Sequence, residues 1–184
     1  RSSAPSPRWR ALVADLWETM AVDAAAESSL WAECLLPESE RDRSPVFSVL
    51  GEARYALGLE TIYEGYLVHY SRPRLFATPD DDTALLLGDY LYAHGVARIS
   101  ALHDVAAVAD LSELISLCSQ VRAEEAEGDG PLWAATAALL GRGALDEART
   151  ALRLRSDPGP LDRVARETAG DDAVQLGSGP SKHE

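Results

Sequence analysis

Apolar residues recur every three or four positions along most of the chain, which is the spacing of one buried stripe on an α-helix. The first stripe predicts a helix from Pro7 to Ala26, and its members are Trp9, Leu12, Val13, Leu16, Trp17 and Met20. A short helix should follow from Ser29 to Leu36, because Pro37 disfavours helix in the residue before it. The charged stretch from Pro37 to Ser44 predicts a loop.

A longer stripe predicts a helix from Pro45 to Tyr70, with a proline in its first turn. Gly51, Gly58 and Gly65 lie seven residues apart on one face of this helix. Each glycine costs a helix roughly 1 kcal/mol relative to alanine. We therefore interpret the glycine row as a place where another helix packs closely.

The remaining chain predicts further helices with short breaks between them. Asp80, Asp81 and Asp82 precede an apolar run and should cap a helix, because carboxylates are favourable at the positive end of the helix dipole. Asp104 should cap the next helix in the same way. The helices are expected at residues 80–102, 104–126, 132–140, 144–154 and 161–168, with breaks at 128–131, 141–143 and 158–160.

Composition supports an all-α fold. Of the 184 residues 46% are apolar, and alanine and leucine dominate while β-branched residues are sparse. We expect a leader at residues 1–7, a single helical domain at 8–169 and a disordered, polar tail at 170–184.

The net charge of −13 argues against nucleic acid as a partner, since no basic patch offsets it. No apolar run approaches the ~20 residues of a membrane span. Cys34 and Cys118 both lie in predicted helices, which argues against a disulfide framework and favours a cytoplasmic protein.

No complete catalytic or metal site is evident. The aspartates 80–82 are the most tempting magnesium ligands, but three consecutive side chains at a helix start point in different directions, so capping is the favoured interpretation. His69, His94 and His103 lack the four-residue spacing of a helical zinc site. We expect no cofactor for the chain alone.

One segment resembles the trans-polyprenyl diphosphate synthase family. The run from Leu85 to Ala93, Leu-Leu-Leu-Gly-Asp-Tyr-Leu-Tyr-Ala, is similar to the Gly-Asp-aromatic-Leu core of a family helix. Its matching residues are Gly88, Asp89 and Leu91. Upstream, Glu60, Leu67 and His69 match the spacing of the family helix that opens the first aspartate-rich motif, and Tyr63 and Tyr66 also lie on that segment.

The resemblance covers about Pro45 to Glu127 and lacks the catalytic motifs. Tyr70 and Ser71 stand where the paired aspartates of the family bind metal. Arg43-Ser44-Pro45 is at best a remnant of the basic family stretch, and Asp171-Asp172 does not match the second aspartate-rich motif. Tyrosine and serine cannot replace carboxylates around Mg²⁺.

This pattern of loss is similar to that of the small, non-catalytic subunit of heterodimeric long-chain prenyl diphosphate synthases. The resemblance implies a truncated helical bundle of the isoprenoid-synthase type, with Mg²⁺ held only by a catalytic partner. The expected partner is that catalytic subunit or a second copy of the chain. The expected contact helices are residues 88–101 and 104–126, and the candidate interface residues are Leu86, Leu87, Tyr90 and Tyr92.

Two alternatives stay open at this point. A divergent enzyme could bind a prenyl or other apolar ligand in the bundle core through a different site. A helical interaction protein with no isoprenoid link could produce the same apolar pattern. Turnover by the isolated chain with Mg²⁺ would favour the enzyme, and copurification with a synthase would favour the subunit.

Overall fold

The computed structural model describes residues 7–126 and 128–176, and the side chains within 16–126 and 128–174. Within these ranges all regular structure is helical, apart from one antiparallel bridge between Leu35 and Phe76. The all-α prediction is confirmed, while the isoprenoid-synthase type of bundle stays a prediction. None of the described helices has both the length and the apolar character that crossing a bilayer requires.

The α-helices follow one another with short connections, except for the longer ones between α2 and α3 and between α3 and α4. They are α1 (Pro7–Glu27), α2 (Ser29–Cys34), α3 (Ala56–Tyr70), α4 (Asp81–Ser100), α5 (Val105–Ala123), α6 (Asp129–Ala138), α7 (Asp146–Arg155), α8 (Gly159–Ala169) and α9 (Asp171–Leu176). Single 3-10 turns lie at Glu38–Glu40 and Ala53–Tyr55. The connection between α2 and α3 is therefore irregular over most of its length.

The central helix is α3, on which almost every residue from Ala56 to Val68 is buried. It runs antiparallel to α4, because Gly58 faces Gly95 at one end of the pair and Gly65 faces Gly88 at the other. A Cβ atom on Gly65 would lie 3.0 Å from the carbonyl oxygen of Gly88. The prediction of close helix packing is thus confirmed for Gly58 and Gly65.

The start of α3 corrects the sequence prediction. The helix begins at Ala56 rather than at Pro45, and the preceding residues form turns. The carboxylate of Glu60 explains the difference, since its Oε1 accepts hydrogen bonds of 3.1 Å from the amides of both Val46 and Ser48. Those amides are held by a side chain of α3, so the segment folds back along the helix instead of extending it.

Two apolar cores lie on different sides of the α3–α4 pair. The larger contains Trp133 of α6, whose ring centroid is 5.3 Å from that of Phe47 and 5.0 Å from that of Tyr63. Gly51 belongs to this region, where a Cβ atom would meet the carbonyl oxygen of Ala137. The second core joins α1 and α2 to the pair and contains Trp17, Met20, Ala24, Cys34, Val68, Leu75, Phe76, Ala84, Leu87 and Leu91.

Two predicted breaks prove to be helix starts. The first turn of α6 begins at Asp129 and includes Pro131, and the first turn of α8 includes Pro160. A proline is tolerated there because the first amides of a helix have no intrahelical partner. The two prolines therefore lie within the first turns of α6 and α8 and not in breaks before these helices.

The chain ends also correct the prediction. Pro7 opens α1, as the apolar spacing predicts, so it does not belong to the leader at residues 1–7, and residues 1–6 lie outside the described residues. The tail predicted from residue 170 begins with α9, which packs against α6 and α8 and buries Ala173 and Val174. Burial of these two apolar side chains stabilises the helix in this short and otherwise polar segment. Residues 177–184 lie outside the described part.

The helix starts at α4 and α5 confirm the capping interpretation. Oδ1 of Asp80 accepts a hydrogen bond of 2.7 Å from the amide of Thr83, and this bond lowers the pKa of Asp80. Oδ1 of Asp104 accepts one of 3.0 Å from the amide of Ala107. Both aspartates therefore satisfy amides that the helix itself cannot pair.

We expect Asp104→Asn to lower Tm at neutral pH and to lose this effect in acid. The hydroxyl of Tyr55 donates to Oδ2 of Asp104 at 2.5 Å, and this bond, with the amide of Ala107, lowers the pKa of Asp104 from its usual value. A lowered folded-state pKa stabilises the protein above the unfolded value and loses that contribution as the pH falls through the folded value. Thermal unfolding of both proteins between pH 7 and pH 3 measures the difference, which should narrow below about pH 4.

The matched control is Asp81→Asn, which changes an exposed aspartate in the first turn of α4. It should change Tm less than Asp104→Asn does at neutral pH. A Tm difference for Asp104→Asn that stays constant down to pH 3 would show that the ionised carboxylate does not carry the effect.

Candidate functional site

Three of the residues on which the family resemblance rests, His69, Gly88 and Asp89, meet at one end of the α3–α4 pair. His69 lies in the last turn of α3, and its ring covers Gly88 so closely that a Cβ atom there would lie 2.6 Å from Cδ2 of the imidazole. Nε2 of His69 is 3.3 Å from Oδ1 of Asp89. The rings of Tyr70 and Tyr92 flank the imidazole at centroid distances of 5.5 and 5.0 Å. Two segments compared separately with the family therefore lie against each other.

Tyr70 and Ser71, where the resemblance would place paired aspartates, form an aromatic contact and a helix end. Tyr70 packs on Tyr66 at a centroid distance of 5.3 Å, and its hydroxyl donates to Oγ of Ser119 at 3.4 Å. The amide of Ser71 donates to the carbonyl of Leu67 at 2.9 Å and closes α3. In the described part of the chain, no group of three or more His, Cys, Asp or Glu side chains is placed to hold a metal ion.

Glu60 belongs to a different, fully buried cluster. Its Oε2 is 2.8 Å from Nη1 of Arg74, and Oε2 of Glu64, one turn further along α3, is 3.0 Å from Nε of the same arginine. The guanidinium also faces the rings of Trp17 and Tyr63 at 4.6 and 4.9 Å. Burial alone would lower the pKa of Arg74, but the two carboxylates outweigh it and raise that pKa. We call these three charged residues the buried triad.

The carboxylates of the buried triad are also saturated by backbone amides. Glu64 Oε1 accepts from the amides of Arg74 and Leu75, both at 2.8 Å. Glu60 Oε1 accepts from the two amides of the preceding segment described above. Because every carboxylate oxygen has a donor, the triad ties two loops to α3 and has no oxygen left over for a metal or substrate.

Sequence reasoning missed Glu64 and Arg74. The signal for Glu64 was present, because it lies four residues after Glu60 and therefore on the same face of an otherwise apolar helix. Arg74 gave no such signal, since it lies in a loop beside an exposed arginine, Arg72. Arg74 reaches the two carboxylates only because its loop packs back against α3. A contact between distant parts of the chain cannot be read from the local sequence.

A second missed cluster connects three helices near His69. Nε of Arg122 is 2.6 Å from Oδ2 of Asp129, and its Nη2 donates to the hydroxyl of Tyr66 at 2.5 Å. That hydroxyl donates in turn to Asp129. Burial raises the pKa of Tyr66, and the nearby Asp129 carboxylate raises it further. The cluster fixes the end of α5 and the start of α6 against α3, and the tyrosine stays protonated.

The candidate interface residues on α4 are mostly covered by the chain itself. Leu86 is exposed, whereas Leu87 is fully buried in the second core together with Leu91. Tyr90 and Tyr92 are half-buried. The prediction for Leu87 is therefore wrong, because α1 and α2 cover one side of α4 while α3 covers another. Burial also raises the pKa of the Tyr92 hydroxyl.

The exposed residues of α5 are all uncharged and form its outward stripe; they are Val105, Ala106, Ala109, Ser112, Ser116, Ser119 and Ala123. The partly exposed Glu113 lies at the edge of this stripe and pairs with Arg153 of α7. The hydroxyls of Ser112 and Ser119 donate to the carbonyls of Val108 and Ile115 at 2.9 and 3.0 Å, so they are satisfied within the helix. On a chain with a net charge of −13, this stripe offers another helix an uncharged contact surface, with the Glu113–Arg153 ion pair at its edge.

Comparison with known proteins adds no relative. No protein-family model matches the chain, and none of the curated proteins or solved structures matches it either. The functional argument therefore rests on the residues of the chain and on their geometry.

Proposed function

We propose that the chain is a non-catalytic subunit that resembles the polyprenyl diphosphate synthases and assists a catalytic partner in long-chain isoprenoid diphosphate synthesis in the cytoplasm. The observation that carries the proposal is the contact of His69 with Gly88 and Asp89 across the α3–α4 pair. The two matching segments lie on consecutive antiparallel helices, and the packing of that pair brings the matching residues His69, Gly88 and Asp89 together. Their contact is expected if both descend from one helix pair of an isoprenoid-synthase bundle.

The proposal assigns no catalysis to the chain alone. Ionisation of an allylic diphosphate requires Mg²⁺ to neutralise the departing charge, and Mg²⁺ is bound through carboxylates. Tyr70 and Ser71 offer none at the end of α3, and Tyr70 is packed against Tyr66. The net charge of −13 also opposes binding of free diphosphate. Mg²⁺ is therefore assigned to the catalytic partner.

A helical interaction module without an isoprenoid link is the second candidate. The uncharged outward stripe of α5 favours it as much as it favours the subunit, because both need a partner surface. The divergent enzyme is less favoured, since the aromatic rings of Phe47, Tyr63, Tyr66 and Trp133 pack against one another in the larger core. A prenyl chain would have to displace them.

The test is co-expression of the chain with a prenyl diphosphate synthase from the same genome. We expect the two to copurify, and we expect the pair to make longer products or to turn over faster than the synthase alone. Copurification without any change in activity would favour the interaction module. Magnesium-dependent turnover by the isolated chain would reject a non-catalytic role.

Charge placed on the outward stripe of α5 should weaken assembly with the synthase. We expect Ala109→Glu combined with Ser116→Glu to reduce the affinity at least about tenfold, because two carboxylates would be buried without partners. Sedimentation velocity of the mixed proteins measures the association, and circular dichroism checks that the helix content is unchanged.

The matched control for this variant is Leu154→Glu, which adds a carboxylate at an exposed position on α7. It should leave the affinity unchanged. Assembly that tolerates the α5 variant as well as the control would show that α5 is not a contact helix.

A further inference from the structure

Two adjacent leucines are exposed near the start of α4. The exposed fractions of Leu85 and Leu86 are 55% and 57%, which is unusual for large apolar side chains on a helix whose other leucines are buried. Asp81 and Asp82 lie about one turn before them, and Asp89 lies one turn after them, all exposed. We call these five residues the leucine patch.

The sequence around the leucine patch carries only negative charge. The exposed Asp80 caps α4 directly before Asp81, so four aspartates flank Leu85 and Leu86, and residues 75–97 contain no lysine or arginine. The arginine of α4, Arg98, lies in the last turn and pairs with Asp23 of α1 at 2.5 Å. His69 is 3.3 Å from Asp89.

A second copy of the chain does not fit this surface. Two leucine patches brought face to face would bury their leucines favourably, but they would also bring Asp82 and Asp89 of one copy against the same residues of the other. Like charges held together in a partly desolvated interface oppose association. A partner surface with apolar side chains ringed by lysine or arginine would instead bury the two leucines and pair with the surrounding aspartates.

We propose that the leucine patch docks a protein surface in which exposed apolar side chains are ringed by lysine or arginine. The inference rests on the proposed function in taking α4 as a contact helix, and it deepens that function by naming the chemistry of the partner surface. The inference also distinguishes between the two expected partners, a catalytic subunit and a second copy of the chain. A subunit with a basic surface fits the patch, whereas a second acidic chain does not.

The test uses two synthetic amphipathic helices with the same leucine stripe, one flanked by lysines and the other by glutamates. Fluorescence anisotropy with the full chain should show binding of the lysine peptide and none of the glutamate peptide. Leu85→Ser combined with Leu86→Ser should weaken binding about tenfold or more, because the apolar contact is lost while the charge is kept. Asp82→Asn combined with Asp89→Asn should weaken it and should also reduce its dependence on salt.

The matched control is Leu154→Ser, which removes an exposed leucine that lies between Arg153 and Arg155 on α7. It should bind the lysine peptide like the unchanged chain. Equal binding by the Leu85→Ser, Leu86→Ser variant would show only general attraction of a cationic peptide to an acidic protein, and the proposal would be overturned. Absence of binding, or a preference for the glutamate peptide, would overturn it as well.

Failure of this inference can be told apart from failure of the proposed function. If a synthase copurifies with the chain and the leucine-patch variants leave that assembly unchanged, the docking surface is wrong and the subunit proposal stands. If the lysine peptide binds at the patch but no synthase copurifies or responds, the docking surface stands and the isoprenoid link is lost.

Discussion

Replacing Arg74 with methionine is expected to lower the free energy of unfolding by about 3–5 kcal/mol, because it leaves two buried carboxylates without their cation. Glu60 and Glu64 are completely buried and each makes a direct ion pair with Arg74. Their other oxygens are already bonded to backbone amides, so neither side chain can turn towards water without breaking those bonds. Urea unfolding followed by circular dichroism measures the loss.

Arg72→Met is the matched control, since it removes the same side chain two residues earlier in the same loop but at an exposed position. It should change the free energy of unfolding by no more than about 0.5 kcal/mol. Adding Glu60→Gln and Glu64→Gln to Arg74→Met should recover part of the loss, because the uncompensated charge is then removed. A loss of similar size in both arginine variants would show that the buried triad does not stabilise the fold.

The buried triad also shows why the start of α3 escaped sequence prediction. Val46 and Leu50 continue the apolar spacing of the helix, so the local pattern favours a helix from Pro45 onwards. The structure instead holds the amides of Val46 and Ser48 on the carboxylate of Glu60. Glu60, which lies further along the chain, therefore favours turns over helix in this segment. The pattern of apolar positions gives no information about its hydrogen bonds.

Local signals were sufficient for much of the remaining fold. The caps at Asp80 and Asp104 follow from the preference of aspartate for helix starts, and both are present. Gly58 and Gly65 indicated a close helix contact, although the sequence alone did not identify α4 as the neighbour. The all-α class follows from the apolar spacing and from the scarcity of β-branched residues.

The candidate site was predictable only in part. The resemblance named His69, Gly88 and Asp89, which lie together in the structure. It did not give the orientation of α4, on which apolar residues point in every direction. Leu87 was expected at an interface but is buried. When apolar residues surround a helix, the sequence does not show which side of it the rest of the chain covers. That choice depends on where α1 and α2 pack.

The contact between α3 and α4 leads to a second large effect. Gly95→Ala is expected to lower the free energy of unfolding by roughly 1–2 kcal/mol, although alanine is the better helix former by about 1 kcal/mol. The new Cβ atom would lie 3.0 Å from the carbonyl oxygen of Gly58 and 3.1 Å from the amide nitrogen of Ile62, and it would also press on the Ile62 side chain. Backbone atoms cannot rotate away as a side chain can, so the two helices must shift along their most extensive contact.

Ala93→Gly separates the helix-propensity contribution from the packing contribution. Ala93 is exposed on the same helix, so its replacement should cost about 1 kcal/mol through propensity alone. Urea unfolding of both variants then gives the packing loss at Gly95 as its measured loss plus the propensity that alanine gains there. A Gly95→Ala protein more stable than the unchanged chain would mean that α3 and α4 can move apart freely. In that case the contact between His69 and Gly88, at the other end of the same pair, would no longer be evidence of one fixed helix pair.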